Sequence, residues 1–488
     1  MSDEDWRRLV QEASQLRSAG RVTEAIAAYQ RALAANPDLP ESWFNLGWLQ
    51  RRARAFDDAL GSYQRALDLG VGRPEEVHLN RAAIYSEYLR RPRDAQRELQ
   101  EALEKHPGFV PALVNLGNLH EDLGERDAAR DAYSRALELD PTNTLSLARM
   151  ATASLSPDLD TEMEARLRSV IARPDATATQ RAGVGFALAA LLDAAAKYDE
   201  AFAAAAAANE ASRAAAGSRG RYDRARQEAL IDQLIATFSA APSGASSDPA
   251  PVFICGMFRS GSTLVEQILA GHSRVIAGGE LDHIPTIVAN IPNFPAGFAL
   301  ADADALNRMR EFYWAGLQGQ VTSTVFTDKR PDNLLHLGLI KAMFPAAKIV
   351  HTVREPLDNL LSLYFLHLDP SMAYALDLAD AAHWYGQYRR LMAHWDRLFG
   401  DDILNVRYET LVAQPDAEIR KVLAFLNLEW EDGLLDFSDT DRAVRTASVW
   451  QVREKLYTRS SGRWRNYAKY LEPLKEALAV AGFAADER

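Results

Sequence analysis

Just past the apolar run Pro251–Cys255 the chain reads Gly256-Met-Phe-Arg259-Ser260-Gly261-Ser262-Thr263, a short loop with two glycines, three hydroxyls and one guanidinium. Leu264, Ile268 and Leu269 follow on one face of a helix. A strand, such a loop and a helix N-terminus with unpaired N–H groups make an anion site. A Walker A loop would carry Lys before the Ser/Thr, but here Gly261 precedes Ser262 and the cation is Arg259, inside the loop.

A second site of the same kind lies about a hundred residues on. The run Lys348–Val353 ends in Arg354-Glu355-Pro356, and Ser362 stands about two helical turns past Arg354. A strand end and its helix then offer a guanidinium and a hydroxyl to a second phosphate. A phosphate-transfer enzyme of the P-loop kinase class would instead need the Lys and an acidic magnesium ligand at the second strand end.

These loops need a sheet to hold them. Pro251–Cys255, Thr324–Thr327, Lys348–Val353 and Ile403–Arg407 are short apolar runs, each followed by turn residues and then helical periodicity. Strands alternating with helices predict a parallel sheet in an α/β domain. Ahead of it, Ala241–Ala250 is rich in Pro, Ser and Gly and is expected to be a linker, preceded by a charged helix around Tyr222–Phe238.

The first 140 residues repeat themselves. Ala25, Ala59, Ala95 and Ala129 are 34, 36 and 34 residues apart, and each is followed by Tyr29, Tyr63, Leu99 or Tyr133 and by a second Ala. Pro37, Pro107 and Pro141 lie past the second helix, and Leu46-Gly47 and Leu116-Gly117 lie in the first. This resembles the tetratricopeptide repeat. Small residues let paired helices approach, the aromatic fills the gap, and the proline stops the helix. The pattern degrades after Asn143 and returns at Tyr198-Asp-Glu-Ala201-Phe202, where Ala203–Ala208 is expected to be helical because alanine is the best helix former. The expected organisation is a repeat array over 1–215, a helix and linker over 216–250 and an α/β domain over 251–488.

A chain of 488 residues with 48% hydrophobic and 25% charged residues is an ordinary globular composition for more than one domain. Its net charge of -12 argues against a general nucleic-acid binder and makes any anion site local. One cysteine, Cys255, excludes an internal disulfide and a cysteine zinc cluster. No run is apolar enough to span a membrane, and the start is acidic rather than signal-like, so a cytoplasmic protein is expected.

Phe258–Thr263 and Val353-Arg-Glu-Pro with Ser362 resemble the 5′- and 3′-phosphosulfate motifs of sulfotransferases. Together with the repeats, the chain is similar to bacterial tetratricopeptide-repeat sulfotransferases, whose catalytic half resembles tyrosylprotein sulfotransferases. The resemblance implies metal-free transfer of a sulfuryl group from 3′-phosphoadenosine 5′-phosphosulfate to an acceptor hydroxyl, with a P-loop-like sulfotransferase domain behind an all-α solenoid. It implies that Arg259, Ser260, Gly261, Ser262 and Thr263 hold the 5′-phosphosulfate and that Arg354 and Ser362 hold the 3′-phosphate. Ala277-Gly-Gly-Glu280-Leu-Asp-His283-Ile-Pro285 matches the segment carrying the general base, which makes Glu280 the base, with His283 its competitor. Lys329 in Thr327-Asp-Lys-Arg-Pro matches the catalytic lysine, and Tyr408 in Val406-Arg-Tyr-Glu a nucleotide-contacting tyrosine.

Near the end, Gly462, Trp464 and Asn466 fit the donor-covering loop, but its R-K-G is missing; Arg459, then Arg463, is the candidate cation for the 3′-phosphate. A peptide or protein acceptor, including a tyrosine, recruited by the repeats is the expected substrate, with a hydroxylated metabolite or glycan open. A repeat scaffold whose nucleotide domain no longer catalyses is the other reading.

Overall fold

The computed structural model describes residues 3–241, 250–317, 325–436, 450 and 460–483. It divides into two compact units, Met1–Ser154 and Leu155–Arg488.

In the first unit, helices α1 (Asp3–Ser18), α2 (Val22–Ala35), α3 (Pro40–Arg52), α4 (Phe56–Asp68), α5 (Pro74–Ala83), α6 (Pro92–Lys105), α7 (Val110–Leu123) and α8 (Arg126–Leu139) pack as successive pairs, and α9 (Thr144–Ala153) adds to the last. The repeat residues explain the pairing. Ala25, Ala59, Ala95 and Ala129 are wholly buried at the crossings. A Cβ on Gly47 would lie 2.9 Å from the ring of Tyr63, and one on Gly117 would lie 2.4 Å from that of Tyr133, so each glycine makes the space its partner's aromatic ring fills.

The second unit begins with α10 (Thr161–Ala172), α11 (Ala178–Ala194), α12 (Tyr198–Ala216) and α13 (Arg224–Thr237). The alanine run is helical within α12, and Gly185 of α11 meets Ala208 across the crossing. Residues 155–215, expected as the end of the repeat array, thus pack in one unit with residues 251–488.

Five parallel strands follow: β1 (Val252–Gly256), β2 (Val275–Ala277), β3 (Val325–Lys329), β4 (Ile349–Val353) and β5 (Ile403–Arg407), in the order β2-β3-β1-β4-β5, and the helices between and after them include α16 (Ala303–Ala315), α17 (Leu337–Met343), α20 (Tyr408–Ala413) and α22 (Glu472–Val480). β1 is buried along its whole length. Val252 and Ile254 face a core of Val265 and Ile268 from α14 (Ser262–Leu269) and Ile419 and Val422 from α21 (Pro415–Phe425). On the other face Phe253 packs on Phe344, and His351 bonds Tyr388 Oη at 2.6 Å from α19 (Leu378–Phe399). Both faces are covered, the usual setting of a parallel sheet.

The edge strand β2 is absent from the sequence expectation, since three residues cannot display a period; its pairing with β3, Val275 opposite Val325, makes it a strand. From β1 the chain builds outward to β2 and β3 on one side, then crosses to β4 and β5 on the other. The order therefore reverses at β1 and β4, and the carboxyl ends of those strands frame the crevice where such sheets bind ligands.

Candidate active site

The β1 loop is held in a shape few sequences allow. Arg259 has φ 70°, Gly256 φ 149° and Gly261 φ 103°. A Cβ on Gly256 would meet the Thr352 carbonyl at 2.3 Å, so β4 runs too close for any larger residue. Ser260 is turned inward: its hydroxyl donates to the Met257 carbonyl at 2.6 Å and shares a 2.7 Å hydrogen bond with Thr352 Oγ1, fastening the loop to β4. Its backbone belongs to the loop, but its hydroxyl is spent on the scaffold. Ser262 and Thr263 occupy the first turn of α14, where backbone N–H groups lack helical partners.

The two anion motifs interlock at the switch point. Arg259 Nε donates to Ser362 Oγ at 3.1 Å, on α18 (Pro356–Tyr364). In return, Arg354 Nη1 donates to the Arg259 carbonyl at 3.1 Å and Nη2 to the Ser460 carbonyl at 2.5 Å. Its guanidinium lies 4.8 Å from the Tyr408 ring centre, and that ring fills the space beside Gly261, 2.8 Å from a Cβ built there. Gly261, Tyr408 and Arg354 thus form one stack. Glu355 does not pair with Arg354: its carboxylate accepts the Asp358 N–H at 2.8 Å as the cap of α18.

Glu280 and Lys329 meet at 2.6 Å. Lys329 is 1% exposed while the Glu280 side chain is 35% exposed, so a buried ammonium ends on a carboxylate that solvent can reach. The Gly279 peptide sets this pair, its N–H donating to Glu266 Oε1 at 2.8 Å and its carbonyl accepting the Lys329 N–H at 3.0 Å. Glu266, on α14, also accepts from Thr327 Oγ1 at 3.0 Å. Behind Lys329, Asp328 is fully buried, its carboxyl pushed up to about 7 by burial against the donations of Tyr313 Oη and Asn333 Nδ2. His283, at the start of α15 (His283–Ala289), sits edge-on to Tyr313 with ring centres 5.3 Å apart and presses on Gly316.

Sequence reasoning missed Asp358 and Asn359, both buried on α18. Asp358 accepts the N–H groups of Gly462 at 2.5 Å and Trp464 at 2.8 Å, and Asn359 Nδ2 donates to the Phe258 carbonyl at 2.9 Å. Two polar residues inside an otherwise apolar helix face were the available signal. Arg463 is engaged by Asp193 at 3.0 Å and lies over Phe365. Arg459 lies outside the described residues. Buried Cys255 has its thiol pushed up by desolvation and takes no part.

A model of the Sulfotransferase family matches residues 251–432, and one of the tetratricopeptide repeat matches 10–74 and 81–144. The chain is 32% identical over 402 residues to an uncharacterized protein of Aquifex aeolicus, covering 78% of this chain and 52% of that protein. It is 26% identical over 235 residues to protein-tyrosine sulfotransferase 1 of Danio rerio, covering 43% and 63%. Among solved structures, the sulfotransferase domain from the curacin biosynthetic pathway aligns at 17% identity and a TM-score of 0.35, over 49% of this chain and all of that one. The chain thus spans about half to under two thirds of the curated relatives' own length. Residues 251–432 are a sulfotransferase-family domain, and the tetratricopeptide repeats stand ahead of it.

Proposed function

We propose that this chain is a sulfotransferase that moves a sulfuryl group from 3′-phosphoadenosine 5′-phosphosulfate to an acceptor hydroxyl. The interlock of Arg259 with Ser362 and of Arg354 with the β1 loop carries the reading, because it joins two anion-binding strand ends at the switch point. The residues present fit a doubly anionic nucleotide: Arg354 Nε is buried without a hydrogen-bond partner among the described residues, one donor still to be satisfied. A kinase reading is opposed by Gly261 and Ser262 where Lys would stand and by Arg354 where an acidic ligand would.

In this reading the donor supplies an activated sulfur. Arg259 and the N–H groups of Ser262 and Thr263 grip the 5′-phosphosulfate; Arg354 and Ser362 grip the 3′-phosphate, and Tyr408 backs Arg354. Glu280 accepts the acceptor's proton as the new S–O bond forms. The S–O bond to the 5′-phosphate breaks, and its electron pair stays on the phosphate oxygen, where Lys329 offsets the growing charge. The products are a sulfate ester and adenosine 3′,5′-bisphosphate. His283 ranks below Glu280 because its ring is packed against Tyr313 and Gly316.

The acceptor in this reading is a peptide or protein segment. The tetratricopeptide repeats support it, since stacked repeats form extended binding surfaces. A cytoplasmic setting belongs to the same reading; among the described residues no helix is long and apolar enough to cross a membrane. The test is transfer of labelled sulfate from the donor to a peptide library beside a panel of hydroxylated small molecules. Label on peptides only fits the reading, label on small molecules only replaces the acceptor, and no label with a bound donor leaves a nucleotide-binding scaffold.

A further inference from the structure

The segment 460–470 is gripped from two sides. On the sheet side, Arg354 holds the Ser460 carbonyl, and Asp358 holds the N–H groups of Gly462 and Trp464. On the helical side the partners come from α11 and α12. Asp193 takes the Arg463 guanidinium on one oxygen at 3.0 Å and the Tyr467 hydroxyl on the other. Phe202 stacks flat on Tyr470 with ring centres 4.3 Å apart, Tyr198 meets Tyr467 edge-on, and Lys469 pairs with Asp199 at the exposed rim. Asn209 and Arg213 of α12 also donate to the Tyr364 and Leu376 carbonyls, at 2.8 and 2.6 Å, so α12 is bonded to the end of α18 as well.

We propose that Asp193 is a positioning residue for the donor site, the strut through which α11 sets segment 460–470 against Arg354 and Asp358. Asp193 touches no reacting atom. It fixes Arg463 and Tyr467, and the segment then presents the Gly462 and Trp464 N–H groups to Asp358 and the Ser460 carbonyl to Arg354. Tyr467 is wholly buried and Arg463 lies over both Phe365 and Tyr467, so without the Asp193 carboxylate a cation and a hydroxyl remain in a largely apolar seat. The proposal rests on the donor-site reading above, but the position of the segment can be measured without any donor.

The experiment compares the full-length chain with Asp193→Asn, Asp193→Glu and, as a control on the same interface, Asp199→Asn. Hydrogen exchange of the free protein is read first. In Asp193→Asn, amides of residues 460–470 exchange about tenfold faster or more, the scale of one lost ion pair, while the β1 loop, the sheet strands and Asp199→Asn stay at the wild-type rate. Kinetics are read second: Asp193→Asn raises KM for the donor by a similar factor with kcat and acceptor KM within about twofold, and Asp193→Glu recovers part of it. Unchanged exchange at 460–470 overturns the proposal, as does faster exchange throughout the unit, which marks a general structural role. If the wild type binds no adenosine 3′,5′-bisphosphate, the donor-site reading fails, and the exchange result still decides whether Asp193 sets the segment.

Discussion

Arg259 and Ser362 lie 103 residues apart in the chain, yet their side chains meet at 3.1 Å, Arg259 Nε donating to Ser362 Oγ. Arg259 belongs to the turn between β1 and α14 and Ser362 to α18, the helix after β4, and each is a candidate ligand for a different phosphate. The contact fixes the β1 loop against α18 in the free protein, so the proposed site is organised in advance.

Arg354 completes that frame with a two-pronged grip on the Arg259 and Ser460 carbonyls. Arg354→Ala is expected to weaken adenosine 3′,5′-bisphosphate binding by about a hundredfold, since charged hydrogen bonds contribute about 1.5–3 kcal/mol each. Arg354→Lys is expected to recover little, because an ammonium cannot hold both carbonyls and stack on Tyr408. Isothermal titration of both variants checks this, and a lysine variant at wild-type affinity would remove the two-pronged grip from the account.

Glu280 faces solvent with Lys329 as its partner, the placement of a group that meets an incoming acceptor. Glu280→Gln is expected to keep donor binding within about threefold and to lower kcat by about 10²–10⁴, the usual weight of general-base catalysis. His283→Asn is expected to stay within about threefold of wild type. Single-turnover rates with saturating donor separate the two, and the reverse ranking would move the base to His283.

How much of this was legible beforehand depended on distance along the chain. The repeat glycines and tyrosines announce their packing because the period copies it: Gly47 with Tyr63 and Gly117 with Tyr133 are one relationship written twice. The β1 and β4 loops were legible because all their functional groups lie within about ten residues of a strand end. Asp358 holding Gly462, Glu266 holding Gly279 and Asp193 holding Arg463 were not legible. Each joins elements brought together only by the fold, and a single acidic residue in a helix looks the same whether it meets water or a distant N–H.

Asp328 makes stability depend on pH with a defined sign. Its folded carboxyl titrates near 7, well above an ordinary aspartate, so between about pH 4 and pH 7 the folded state binds more protons than the unfolded one. Stability therefore falls as pH rises through that window and stays at the lower level above it. Asp328→Asn removes the titration; the new amide can bond to Asn333 once that side chain turns over its unpartnered Oδ1. The variant is expected to melt about 3 °C or more above wild type at pH 8, and the gap should narrow as pH falls and close only near pH 4. Glu121 in the repeat unit shifts in the same direction, so the comparison with the single variant isolates Asp328. A gap that does not vary with pH would refute it.

Gly261 tests the stack that supports the first phosphate. Two separate penalties meet there: φ 103° is a conformation only glycine adopts without strain, and a Cβ would lie 2.8 Å from Tyr408 Cδ2. Gly261→Ala is expected to lower stability by about 2–4 kcal/mol in sum and to weaken adenosine 3′,5′-bisphosphate binding at least about tenfold, because relief of either penalty displaces Arg354 or the start of α14. Tyr408→Ala alone removes the ring from Arg354 and is expected to weaken binding by a smaller factor. In the double variant the steric part disappears while the backbone strain persists, so its loss should fall short of the sum of the two single losses by about 1 kcal/mol. A double-mutant cycle in binding and in urea denaturation measures that difference, and strict additivity in both would show that Tyr408 does not press on the loop.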